Sequence, residues 1–223
     1  MNHISKLLGL TIISSLVFLF SPPSNARPII FNININQNII FNEDGPEVRD
    51  TESNPLKRDN SYLIVPSNTI NGGQPANFRG IGLFSINQTC PFHVALSQTA
   101  LPLKIKPRYK SSTIYKNLFV NFQFDYPGGQ DCPEPKSWQL TFGSSSPMSN
   151  SRGYVKTGQI NNRVGFRIVE VENQDGVYKL QCCHNIFSSD CDDINVVTLE
   201  PNVMVLVVND NDGVPLHVKF QKV

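Results

Sequence analysis

The chain has 223 residues, 17% of them charged and 39% apolar, with 14 glycines and 16 prolines. That is a turn-rich globular composition and excludes a disordered polyampholyte or a coiled coil. Lysine and arginine number 19 against 18 acidic residues, a balance that argues against recognition of nucleic acid or an anionic membrane by overall charge.

At the N-terminus, Lys6 precedes an apolar run of 14 residues, Leu7–Phe20, and the small residues Ser24 and Ala26 follow it. As a helix the run would reach about 21 Å, short of a hydrocarbon core of roughly 30 Å. Residues 1–26 are therefore expected to be a signal peptide cleaved after Ala26, which sends the chain into the secretory pathway, to an extracellular or vacuolar location. Removing them deletes Lys6 and no acid, leaving 18 basic and 18 acidic residues. Residues 27–45 form an Asn- and Ile-rich leader or pro-segment that ends at a Glu43-Asp44-Gly45 turn.

Beyond it, short apolar or alternating runs are broken by turn residues. Tyr62–Val65, Gly80–Ile86, Pro91–Leu96, Leu118–Phe124, Val164–Val171, Val177–Cys182, Ile194–Leu199, Val203–Val208 and Leu216–Phe220 all read as strands. No stretch of ten residues keeps a capped helical period, so residues 46–223 are expected to form one all-β domain, a sandwich or a barrel. The letters show no crisp threefold repeat that would select a trefoil.

An oxidising compartment makes the five cysteines disulfide partners rather than metal ligands, and none has Cys-x-x-Cys spacing. Two bridges and one leftover thiol are expected. Cys182 and Cys183 would point to opposite faces of a strand, so only one of them can face Cys191. Asn87-Gln88-Thr89 is the sole glycosylation sequon.

Signatures of catalysis are missing. His93, His184 and His217 fall in no hydrolase, zinc-protease or phosphate-loop motif, and no enzyme activity, metal or cofactor is expected. Asn209-Asp210-Asn211-Asp212-Gly213 lacks the closing Glu of a calcium loop and reads as a hairpin turn. Lys104, Lys106, Arg108 and Lys110 share one face of an extended segment, with Ile105, Pro107 and Tyr109 on the other. Such a stripe could meet an acidic partner, but its ordinary use is to protect an edge strand from pairing.

Several segments in order carry a resemblance: Val48-Arg49-Asp50, Asn54-Pro55-Leu56, Ser61-Tyr62-Leu63-Ile64-Val65, Asn71-Gly72-Gly73, Asn87-Gln88-Thr89-Cys90-Pro91, Tyr178-Lys179-Leu180-Gln181-Cys182-Cys183, Cys191-Asp192-Asp193-Ile194 and Pro215–Lys222. Over Val48–Val223 the chain resembles the plant Kunitz-type protease inhibitors. The resemblance implies a β-trefoil, a six-stranded barrel capped by three hairpins with about twelve strands in all. It implies disulfides Cys90–Cys132 and Cys183–Cys191 with Cys182 free, and a monomer that blocks a protease, expected to be a serine protease, with an exposed loop.

The resemblance also places that loop after the strand beginning at Cys90, which leaves Ser97 and Gln98-Thr99-Ala100-Leu101-Pro102, with Leu101 as the primary side chain. The segment is about a dozen residues shorter than is typical of inhibitory members. A non-inhibitory storage or defence trefoil, or a carbohydrate- or protein-binding one, is therefore the competing reading. Ser53 replaces a usual turn glycine, and Arg58 stands where a loop-supporting Asn is usual, with Asp59 or Asn60 as substitutes.

Overall fold

A computed structural model describes residues 45–67, 78–85, 92–125, 136–142, 152–186, 190–208 and 213–223. Residues 1–44, which include the expected signal peptide and most of the expected leader, and Asn87, Cys90, Cys132 and Asn209–Asp212 lie outside them.

Among the described residues the strands are β1 (Ser61–Pro66), β2 (Gly80–Phe84), β3 (His93–Ser97), β4 (Leu103–Pro107), β5 (Phe119–Phe124), β6 (Ser137–Phe142), β7 (Gly153–Gly158), β8 (Gly165–Glu170), β9 (Tyr178–Cys183), β10 (Cys191–Asp193), β11 (Asn195–Glu200), β12 (Val203–Val208), β13 (Val214–Pro215) and β14 (His217–Lys222). Six of them close a ring: β1 pairs with β4, β4 with β5, β5 with β8, β8 with β9, β9 with β14, and β14 with β1. The remaining long strands form the hairpins β2–β3, β6–β7 and β11–β12. These three meet one another, His93 opposite Lys156, Val205 opposite Ala95 and Val207 opposite Tyr154. A closed six-stranded barrel with a triangle of hairpins is a β-trefoil.

Alternation builds the barrel. In β1 every second residue is buried, and in β4 Leu103, Ile105 and Pro107 point inward while Lys104 and Lys106 point out. Period-two patterning of this kind fills a narrow barrel with side chains. Ile64, Ile105, Phe122, Ile168, Leu180 and Phe220 are wholly buried. Trp138 of β6 seals one end, its ring 4.6 Å from Phe122 and edge-on to Phe166 at 5.9 Å. Such aromatic pairs contribute roughly 0.5–1.5 kcal/mol beyond the area they bury.

The nine strands read from the sequence are all present, with ends shifted by at most two residues, and the extended basic segment is β4. Four were missed, the long β6 and β7 and the short β10 and β13. In β7 the glycines mark crowding rather than a turn: a Cβ on Gly153 would lie 2.8 Å from both Leu140 and Val208 side chains. The reading of the basic segment as an edge strand is corrected, because β4 is paired on both sides, to β1 and to β5.

At the C-terminal end of β9, Cys183 lies opposite Cys191 and is disulfide-bonded to it, a closure of 8 residues. Closing so short a loop stabilises by roughly 2.5 kcal/mol in the chain-entropy account. Cys182 is free, as the resemblance implied, and faces the barrel core. Burial, reinforced by Asp192, pushes its thiol pKa up to about 12, against the opposing pull of Arg108. The thiol should therefore resist iodoacetamide at pH 8 in the folded protein and react once it is unfolded, which peptide mass spectrometry of the Cys182 segment will read.

His93 sits where the three hairpins meet, 6% exposed, its Nδ1 without a hydrogen-bond partner among the described residues. Tyr154 meets its ring edge-on at 5.4 Å. Burial, and secondarily the charge of Lys156, lowers its pKa from 6.5 to about 4. Between those two values the unfolded chain binds a proton that the native state does not, so stability falls as pH falls through that window. Urea titrations at pH 7 and pH 4 should show a loss of at most about 3 kcal/mol from this group, absent in His93→Leu.

Candidate functional site

The segment Gln98–Pro102 lies flat against β2. Gln98 and Thr99 are exposed, but Leu101 is half-buried and packs on the core, and its N–H donates to the Ile81 carbonyl at 2.9 Å. Pro102 accepts from the Asp125 N–H at 2.7 Å, and a Cβ on Gly80 would meet Ala100 at 2.7 Å. Glycine at position 80 lets the segment approach this closely. Leu101, expected to be the projecting anchor, is turned inward, and exposing it would cost its apolar burial.

The basic stripe behaves differently residue by residue. Lys104 is paired with Asp125 at 3.1 Å, and Asp125 is held below the usual carboxylate range first by the Ser61 hydroxyl and then by Lys104. Lys106 donates to Gln123 Oε1. Arg108 donates through Nε to Asn121 Oδ1 at 2.9 Å and through its terminal nitrogens to the carbonyls of Asn161, Asn162 and Val164. Lys110 is exposed and has no hydrogen-bond or ion-pair partner among the described residues. Of the four cations, three are consumed by the protein's own acceptors and one is presented to solvent.

Lys110 stands on the β4–β5 connection, residues 108–118, which is braced throughout. The Arg108 N–H donates to Phe119 at 3.0 Å, the Ser111 N–H to the Tyr109 carbonyl at 3.0 Å, and the Thr113 N–H to Ser111 Oγ at 3.0 Å. The Tyr109 hydroxyl accepts from the Tyr115 N–H at 3.3 Å. Past Ser112 the connection runs between two pieces of the N-terminal segment. The Arg58 N–H donates to Ser112 at 2.9 Å, Val48 N–H to Ile114 at 2.9 Å, Ile114 N–H to Leu56 at 3.0 Å and Lys116 N–H to Pro46 at 2.8 Å. Lys57 Nζ adds a bond to Thr113 Oγ1 at 2.7 Å, and Ile114 is wholly buried.

Loop support therefore comes from the Arg58 backbone and the Lys57 side chain. Asn60, considered as a substitute for the missing Asn, turns instead to the Tyr62 hydroxyl at 3.3 Å, and Asp59 is exposed. The N-terminal segment is itself fixed. Asp50 Oδ1 accepts from the Glu52 and Asn54 N–H groups, both at 2.9 Å, and the Arg49 N–H donates to the Tyr178 hydroxyl at 2.9 Å. A rigid loop with one unpaired, exposed lysine is suited to filling a deep acidic pocket on another protein with little ordering cost.

Residues 48–222 match the family model described as trypsin and protease inhibitor, of the legume Kunitz type. The chain belongs to this plant Kunitz-type family. It is similar to Kunitz trypsin inhibitor 1 of Arabidopsis thaliana, 28% identical over 179 residues that cover 78% of each chain. Soybean trypsin inhibitor superposes with a TM-score of 0.63 at 25% identity, covering 79% of this chain and 99% of that one. The water-soluble chlorophyll protein of Brassica oleracea var. botrytis shares the fold, with a TM-score of 0.61 at 22% identity over 80% of this chain and 99% of that one. The Kunitz family consists of inhibitors rather than enzymes, and its inhibitors bind proteases through protein–protein contacts.

His184 Nε2 lies 2.6 Å from Asp192 Oδ2, its ring stacked on Phe142, beside the Cys183–Cys191 bridge. Among the described residues no three His, Cys, Asp or Glu side chains gather as a metal site. Ser53, where the sequence comparison expected glycine, has a left-handed backbone with φ of 66°. A Cβ in that region costs about 1–2 kcal/mol, partly offset by the greater unfolded-state freedom of glycine. Ser53→Gly is thus expected to stabilise the protein by roughly 0.5–1 kcal/mol, read as a rise of a few degrees in Tm.

Proposed function

We propose that this chain inhibits a serine protease of trypsin-like specificity, with Lys110 as the side chain that enters the enzyme's primary pocket. The observation that carries this reading is the exposed, unpartnered Lys110 on a connection braced on both flanks. Trypsin's primary pocket carries an acidic residue at its base, which a lysine ammonium matches. Inhibition is by occlusion: the loop occupies the substrate cleft, and its hydrogen-bonded frame holds the Lys110–Ser111 bond in place. A primary side chain of this kind is the central hot spot of a contact of ordinary size.

The Gln98–Pro102 segment serves, in this reading, as packing between β3 and β4. The signal-like residues 1–26 and the sequon at Asn87 support an extracellular or vacuolar, glycosylated protein that meets its protease as a monomer. No cofactor enters.

Titration of the purified protein against trypsin is expected to give stoichiometric inhibition. Lys110→Ala should raise the inhibition constant by about a thousandfold or more, the 4 kcal/mol typical of a hot-spot anchor. Leu101→Gly should leave inhibition unchanged while lowering stability by roughly 1–2 kcal/mol, about half the cost at a fully buried site. Inhibition that survives Lys110→Ala but disappears with Leu101→Gly would reverse the assignment.

A further inference from the structure

Arg108 is two residues before Lys110, and its guanidinium is committed to more partners than any other cation of the stripe. Nε donates to Asn121 Oδ1 at 2.9 Å on β5; one terminal nitrogen donates to the Asn162 carbonyl at 3.2 Å, and the other to the carbonyls of Asn161, at 2.9 Å, and Val164. Three of these acceptors belong to the turn between β7 and β8. That turn is fixed in its own right: the Arg163 N–H donates to Asn161 Oδ1 at 2.9 Å, and the Ile186 N–H to the Arg163 carbonyl at 2.9 Å.

The two flanks of Lys110 are held by different means. Downstream, the N-terminal segment makes a run of backbone hydrogen bonds to residues 112–116. Upstream, the backbone is held to β5 only as far as the bond from the Arg108 N–H to Phe119, and among the described residues the reach to the β7–β8 turn is made by the Arg108 side chain. Several convergent carbonyls suit a planar fork of five N–H donors and do not suit an ammonium on a flexible stem. A lysine at 108 could satisfy only part of this set.

We infer that Arg108 is a positioning residue for inhibition: by clamping the start of the Lys110 loop to the β7–β8 turn, it keeps the Lys110–Ser111 peptide bond from adjusting into a productive substrate geometry. This deepens the reading of Lys110 as the primary side chain and rests on it for its consequence, but not for its structural content. In the bound complex the protease can add one water across the Lys110–Ser111 bond, breaking C–N and leaving a carboxylate and an amine. Hydrolysis is slow while the loop is held, because misplacement of the reacting bond by even an ångström suppresses catalysis. Loosening one flank turns an inhibitor into a substrate.

The test compares the parent protein with Arg108→Met, which keeps an unbranched stem, and Arg108→Lys, which keeps the charge but not the fork. Hydrogen exchange of the free proteins reads the clamp directly. The Tyr109–Ser112 amides should exchange at least tenfold faster in Arg108→Met and at least threefold faster in Arg108→Lys, with β9 amides unchanged. With trypsin, the rate of Lys110–Ser111 cleavage should rise tenfold or more in Arg108→Met. Loop exchange within twofold of the parent in a folded variant would overturn the inference. Should Arg108→Met not fold, Arg108→Lys decides by the same exchange readout. A parent that fails to inhibit trypsin, together with faster loop exchange in the variants, would overturn the Lys110 reading and uphold Arg108 as the clamp.

Discussion

Closure of the six-stranded ring is the constraint on which the rest depends. The last bond of that ring is made by the pairing of β1 with β14, Tyr62 opposite Lys222 through Pro66 opposite Val218. That pairing joins the beginning of the domain to its end. It also brings residues 46–58, which precede β1, across the barrel to the β4–β5 connection, where they become the wall against which Ile114 is buried. Long-range pairing of this kind costs loop-closure entropy that local contacts do not refund. Once made, however, it fixes both the barrel and the loop in one cooperative event.

The loop is a hybrid of core and surface. Thr113 and Ile114 are buried with the core, whereas Lys110 and Ser112 are exposed. A chain that alternates between buried pegs and exposed positions over so few residues has little freedom left in its exposed part. Ordering entropy that a flexible loop would lose on binding is lost here on folding, where burial of Val48, Leu56 and Ile114 compensates it. Strain sits at the margins of this frame, in the left-handed backbones of Ser53 and of Asn117, whose N–H is held by the Ile168 carbonyl at 2.9 Å.

Much of the barrel was legible in the sequence because its strands alternate strictly, as Ser61–Pro66 does, and are separated by Gly, Asn and Asp turns. β7 was not, since Gly153 and Gly158 resemble turn signals until the side chains of Leu140, Val208 and Gln139 are seen to occupy the space a Cβ would need. The threefold symmetry was hidden because it resides in strand order and alternation, which many different letters satisfy. At the loop, the sequence showed one apolar candidate and four cations but not their partners. Leu101 reads as exposed until Ile81 and Gly80 are placed beneath it. Lys104, Lys106, Arg108 and Lys110 read as equivalent until Asp125, Gln123 and the carbonyls of the β7–β8 turn are assigned.

That selective pairing bears on specificity. Residues 27–223 carry 18 basic and 18 acidic side chains, so their net charge favours no partner over another. Within the stripe, Lys104 is already paired, and Lys106 and Arg108 have given their donors to neutral acceptors within the fold. Recruiting any of these to a partner would first break an existing bond and leave its acceptor to be solvated again. Lys110 alone in the stripe can be buried in a foreign acidic pocket without such a loss. The same arithmetic explains why Arg108, two residues away and equally charged, is worth more as a clamp than as a contact. Its guanidinium is half-buried, and that burial lowers its pKa, so it could serve a partner only by releasing the loop that the partner needs held.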